Sequence, residues 1–209
     1  MWNVARGNSS RDCRKVIFLV AGFVVSATGV AFMKLKELQV VNREVKTLAE
    51  KEGKLFYYGR FVPNTRFMFV GEMPTKPPRK EDWDPTDNFN LSNSDKKFLE
   101  IINRNGFGGS FITDIIKKTE NARRPTEPEL SDWLPLLAEE LGYIKPKVVI
   151  AVGKTSAYKI LDEHKVVLNS AKLEWIYHPA YIARLFRQGD KQAWIKYAKK
   201  FSRLRKKYG

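Results

Sequence analysis

Two carboxylates and an imidazole stand at the ends of short apolar runs in this chain, and these are side chains that carry or face charge while a bond breaks. Glu72 lies in Gly71-Glu-Met-Pro-Thr75, directly after Phe67-Met-Phe-Val70. Asp114 opens Asp114-Ile-Ile-Lys-Lys118 after Ser110-Phe-Ile-Thr113, and His178 opens His178-Pro-Ala-Tyr181 after Leu173-Glu-Trp-Ile-Tyr177. An imidazole, protonated or neutral, can donate to an oxygen on which negative charge develops. The plainer reading of His178 is a turn-packing ring beside Pro179, and that of Glu72 is a solvated loop acid capping a helix start. The other histidine, His164, sits in the polar stretch Leu161-Asp-Glu-His-Lys165 and reads as a surface residue. A fourth loop, Gly153-Lys-Thr155, follows Val148-Val-Ile-Ala-Val152. It is not a phosphate loop, because that pattern needs a second glycine upstream, where only the apolar run stands.

Something must bring four distant loops to one place. Apolar runs of four or five residues that stop at glycine or a polar residue read as buried strands feeding loops. Between them lie helical patterns. Leu35, Leu38, Val41, Val45 and Leu48 recur at helical steps over 34–54 with Gly53 as the stop, and further helices are expected over Asp95–Asn103, from a Ser131 cap through Leu141, over Thr155–Leu161 and over Lys191–Lys207. Strand and helix alternate, which predicts an α/β fold: a three-layer α/β/α sandwich around a central, mainly parallel four-stranded sheet. In such sheets the site lies at the carboxyl ends of the strands, so all four loops fall on one rim. Thr75–Asn93, rich in Pro, Asp, Asn and Lys, reads as a long surface loop of the kind that carries function.

The chain has 209 residues, enough for one domain with a full core. Thirty-eight Lys and Arg against 23 Asp and Glu leave a net charge of +15, which suits a polyanion, whether nucleic acid or an anionic membrane surface. A single cysteine, Cys13, excludes an internal disulfide and any thiolate-rich metal site, so neither metal nor cofactor is expected. Val16–Phe32 is free of charge and flanked by basic residues. At 17 residues it meets the lower limit for a membrane span. It fits a membrane anchor, a signal peptide with a poor cleavage site, or an upstream extension from a misassigned start. Residues 1–32 are therefore set apart as an N-terminal extension and 33–209 as the working domain.

Phe69-Val-Gly-Glu-Met-Pro74, Phe89, Phe111-Ile-Thr-Asp-Ile-Ile-Lys117, Arg124-Pro125, Pro146-Lys-Val-Val-Ile-Ala-Val-Gly153 and Tyr177-His-Pro-Ala-Tyr181, in this order, resemble the uracil-DNA glycosylase superfamily, in the branch whose thermophilic members carry an iron–sulfur cluster. The resemblance covers about Met33 to Arg187. It implies a base pocket formed by Gly71, Met73, Pro74, Phe89 and Asp114, with Phe89 stacking on a base extruded from the duplex. Cleaving the bond between sugar and base leaves a cationic sugar and a base anion. Glu72 would then position or activate the attacking water, and His178 would donate to the base oxygen. Lys117, Arg124, Lys154, Thr155, Arg184 and Arg187 are the implied contacts to DNA. One of Ile182, Leu185 and Phe186 would fill the gap left by the flipped base. The partner implied is DNA carrying a deaminated base, bound by a monomer in the cytoplasm, with membrane association if residues 16–32 form an anchor.

Two positions depart from the family pattern. The cluster needs four cysteines, and the one present lies outside the matched region. Asp114 stands where the family's Ile-Thr-Asn motif reads uracil with an asparagine amide, which both donates and accepts. An ionised aspartate only accepts, so it would take uracil N3–H, face O4 unfavourably and prefer an exocyclic amino group such as that of cytosine. If burial kept it protonated it would donate to O4, and it could also share Glu72's work on water. An active glycosylase, a DNA-binding relative with little excision, and a tethered protein working at anionic lipid are thus the competing readings.

Overall fold

The computed structural model describes residues 28–60, 65–74, 77, 81, 83–86, 89, 92–120 and 123–209. Four strands, β1 (Phe67–Gly71), β2 (Phe111–Asp114), β3 (Val148–Val152) and β4 (Lys172–Ile176), form a wholly parallel sheet in the order β2-β1-β3-β4. Residues of β1 alternate between two cores because strand side chains alternate sides. Phe67 and Phe69 point into one, Met68 and Val70 into the other.

Helices cover both faces of the sheet. On the Met68 side lie α1 (Thr28–Lys51), α3 (Glu127–Ile144) and α4 (Ala157–Glu163), followed by a 3-10 turn over Lys165–Leu168. On the Phe69 side lie α2 (Asn93–Arg104), α5 (Pro179–Arg187) and α6 (Ala193–Tyr208). The chain crosses from β1 to β2 through α2 and returns through α3 on the other face to reach β3. This is the three-layer α/β/α sandwich that the pattern predicted. A cluster of Phe69, Phe98, Phe107 and Phe201, with ring centroids 5.7–6.2 Å apart, fills the centre of the second core. Burying each ring contributes roughly 2–3 kcal/mol.

Helix starts differ from the sequence expectation for local reasons. Helix α3 begins at Glu127, not at Ser131. Thr126 and Glu129 form a reciprocal capping box, and Pro128 in the first turn is already set for helical φ. Ser92 and Asp95 start α2 in the same manner. Gly53 ends α1 with φ +62, a left-handed conformation that costs glycine little. Among the described residues α1 already runs upstream of Met33, from Thr28 onward, while residues 16–27 of the charge-free run lie outside the described residues. Among the described residues no helix is long and apolar enough to cross a membrane.

Candidate active site

Strand order reverses between β1 and β3, the place where ligand sites of open parallel sheets are found, outside the carboxyl ends of the strands. Gly71 closes β1 in register with Asp114, which closes β2. Both strand ends continue into a shared turn, where Ile115 N–H donates to Gly71 O at 2.9 Å and Ile116 N–H to Glu72 O at 3.1 Å.

Gly71 is required here by close approach. A methyl group at its Cα would collide with Asp114 Oδ1 and would lie 2.8 Å from Phe89 Cζ. The missing side chain lets a carboxylate and an aromatic ring close over the end of β1. Phe89 is buried and holds φ +64, a conformation unfavourable for a bulky residue, with its ring 5.7 Å from that of Phe98. Asp114 is 2% exposed. The described turn thus brings Gly71, Asp114 and Phe89 together. Pro74 is buried beside them in the same loop, and Met73 packs against the α1–α3 core.

Glu72 projects from this turn with its Oε1 buried and without a hydrogen-bond partner among the described residues. Burial pushes its carboxyl above the ordinary range, while the charge of exposed Arg124 pulls it back in part. A desolvated carboxylate with a spare oxygen is a group able to take a water or face a cation.

His178 sits two strands away, beyond β4, a separation of about 10 Å between strand axes. It caps α5, and its Nδ1 accepts the Ala180 N–H at 3.2 Å. That bond requires an unprotonated Nδ1, so the neutral ring carries its proton on Nε2 and is a donor there. The residue keeps part of its surface in solvent while neighbouring groups crowd around it. The resulting desolvation lowers its pKa, with the charge of Asp95 acting in the opposite direction.

Two residues expected at DNA, Lys117 and Ile182, are buried. Lys117 is 1% exposed, donates to Asp114 O at 2.7 Å and pairs with Glu140 at 3.0 Å, so it cannot meet a phosphate. Lys118 is likewise buried, clamped between Glu52 and Glu129, and Arg123 grips Glu129 with two hydrogen bonds of 2.6 and 2.7 Å. Of the wedge candidates, Ile182 is 4% exposed in the Phe69-side core, whereas Phe186, at 39%, faces outward. Arg124, Lys154, Thr155, Arg184 and Arg187 are exposed. Sequence reasoning missed Glu140 and Glu129. Their partners are distant in the chain, and the only available signal was a carboxylate on the inward face of an amphipathic helix.

No group of three or more His, Cys, Asp or Glu among the described residues could hold a metal ion. A four-iron cluster needs four thiolates, and a chain with one cysteine does not supply that donor set.

A two-faced parallel sheet with a carboxylate turn after the first strand and a His-Pro cap after the last defines the class of protein. Residues 58–202 match the uracil DNA glycosylase superfamily, and the chain belongs to it. Among curated proteins it is 25% identical over 135 residues to the type-4 uracil-DNA glycosylase of Thermotoga maritima, covering 58% of this chain and 68% of that protein. It is 35% identical over 66 residues to the type-4 uracil-DNA glycosylase of Pyrobaculum aerophilum, covering 30% of this chain and 34% of that protein.

Proposed function

We propose that the protein is a DNA glycosylase that hydrolyses the N-glycosidic bond of uracil, or of another deaminated base, flipped out of DNA. The observation that carries this reading is the buried, unpartnered Glu72 oxygen at the carboxyl end of β1, in a turn whose neighbours Asp114 and Phe89 close over Gly71. Family membership and the activity printed for both relatives support it.

In this reading Phe89 stacks on the flipped base and Asp114 contacts its polar edge. As the C1′–N bond breaks, the electron pair leaves with the base and the sugar becomes cationic. Ionised Glu72 faces that cation and takes the proton of the water whose oxygen bonds to C1′. His178 donates through Nε2–H to the base oxygen on which charge collects. The base anion then takes a proton from solvent and Glu72 gives up the one it received, so the products are the neutral free base and an abasic site. No side-chain amine is used, so the strand stays intact and the enzyme is monofunctional. Arg124, Arg184 and Arg187 hold phosphates, and Phe186 is the side chain best placed to enter the vacated stack.

Asp114 favours a second reading, a DNA-binding relative with little excision, because an ionised carboxylate opposes uracil O4. Both readings are tested by incubating the protein with oligonucleotides that each carry one altered base and cleaving abasic sites with alkali. Excision that Glu72→Gln abolishes supports the glycosylase. Duplex binding with no excision of uracil, hypoxanthine, xanthine or a mismatched base replaces it with the second reading.

A further inference from the structure

The side of the molecule next to His178 carries a strip of aromatic rings and cations, of which the mechanism above uses only Arg184. Trp175, on the edge strand β4, has Lys154 Nζ and Lys200 Nζ each 5.0 Å from its ring centre. Tyr177 is 44% exposed and lies 5.2 Å from the Trp175 ring and 5.1 Å from that of Tyr181. The Arg184 guanidinium stands 5.2 Å from the Tyr181 ring. These rings border a 330 Å³ groove between β4, α5 and α6, whose rim also carries Lys196 and Arg203. Tyr177 O accepts the Tyr197 hydroxyl at 2.9 Å, which fixes the backbone beneath the strip. Asp190 also borders the groove, but it is neutralised by Lys196 at 3.0 Å and accepts the Gln192 N–H at 3.0 Å.

We infer that this groove binds single-stranded DNA continuous with the target nucleotide. The exposed Tyr177 ring, flanked by cations seated over Trp175 and Tyr181, matches an unpaired base joined to its phosphates. A duplex hides its base faces in its own stack, and a lipid surface has no flat face to offer the rings. The groove volume is on the scale of a small ligand, room for very few nucleotides. Tyr177 immediately precedes His178, so a strand whose flipped base lies at His178 runs onto the strip at once. The inference rests on the glycosylase reading for its orientation and adds a subsite to it: a place on this groove for the unpaired strand that flanks the lesion.

The test uses the full-length chain and undamaged oligothymidylate of twelve nucleotides, which offers no base for excision, with binding followed by fluorescence anisotropy. Tyr177→Leu is expected to weaken binding about ten-fold by removing one stacking face. Tyr177→Phe should bind like the wild type, which separates loss of stacking from misfolding. Lys200→Gln should lower the slope of log affinity against log salt by about 0.7. Unchanged affinity in both Tyr177→Leu and Lys200→Gln overturns the inference. So does sedimentation with phosphatidylglycerol vesicles that these variants abolish while oligothymidylate binding persists. Because the probe carries no lesion, failure here leaves the excision reading standing, and failed excision leaves this groove standing.

Discussion

At the scale of single residues, acid–base behaviour follows from two opposed desolvation effects. In the proposed reaction Glu72 has to be ionised to face a cation, and burial raises its pKa above the ordinary 4.5. His178 has to keep Nδ1 free for the Ala180 N–H, and burial lowers its pKa below the ordinary 6.5. Both requirements fail in acid. Excision measured as kcat/KM should therefore fall between roughly pH 6.5 and 4.5 and stay level through neutrality. Activity that instead falls as pH rises through the lowered imidazole pKa would mean that a charged imidazole is the active form. Glu72→Gln should reduce excision by about 10²–10⁴-fold without weakening duplex binding, measured by alkaline cleavage beside a filter-binding assay. At Asp114 the substitution to Asn restores a donor opposite O4, so uracil excision should rise; a fall would assign the carboxylate to water activation instead.

At the scale of elements, carboxylates at helix starts and on one inward helix face hold the site's supports. Glu129 caps Thr126, receives Arg123 and Lys118, and is held well below the ordinary carboxylate range, by Arg123 first. A depressed acid contributes stability above its unfolded pKa and loses it as pH falls toward the folded value. Unfolding free energy should thus decline below about pH 4.5, and Glu129→Gln should flatten that decline in denaturant melts. Thr126→Ala removes the cap and should cost about 1 kcal/mol. The Lys117–Glu140 pair lies beneath Asp114, with Thr113 donating to Glu140 Oε2 at 3.1 Å. Lys117→Met leaves a buried, uncompensated carboxylate and should cost about 3–5 kcal/mol, most of it recovered in the Lys117→Met/Glu140→Leu double variant. Full loss in the double variant would show that the pair carries more than mutual compensation.

At the scale of the whole molecule, the charge of +15 is divided between work and structure. Lys117 and Lys118 are buried in ion pairs, whereas Arg124, Lys154, Arg184 and Arg187 are exposed. Duplex affinity should fall with salt, and Arg184→Gln and Arg187→Gln should each reduce the log–log slope by about one, as titrations at several salt concentrations would show. Lys118→Gln should leave that slope unchanged while lowering stability. The molecule presents its chemistry at a single edge because every strand is parallel, which sends all four following loops the same way.

Periodicity and local chemistry were enough to place the strands, the sandwich and the Gly71, Asp114, Gly153 and His178 loops, because alternation and turn signals act over a few residues. They were also enough to single out Glu72 and His178 by residue type. Which lysines were free was beyond their reach: Lys117 and Arg124 look equivalent in the chain, and only packing gave one of them Glu140 and the other solvent. The start of α3 was misplaced because Ser131 is a good cap in isolation, whereas Thr126 had Glu129 and Pro128 to complete it. Ile182 and Phe186 differ by one helical turn in the same mixed segment, yet the helix face turned toward Phe69 buries one and exposes the other. The chain order carries the proposed reaction through residue types at strand ends. Burial, tautomer and ion pairing depend on neighbours distant in sequence, so they arise only when the sheet and its two helical layers close.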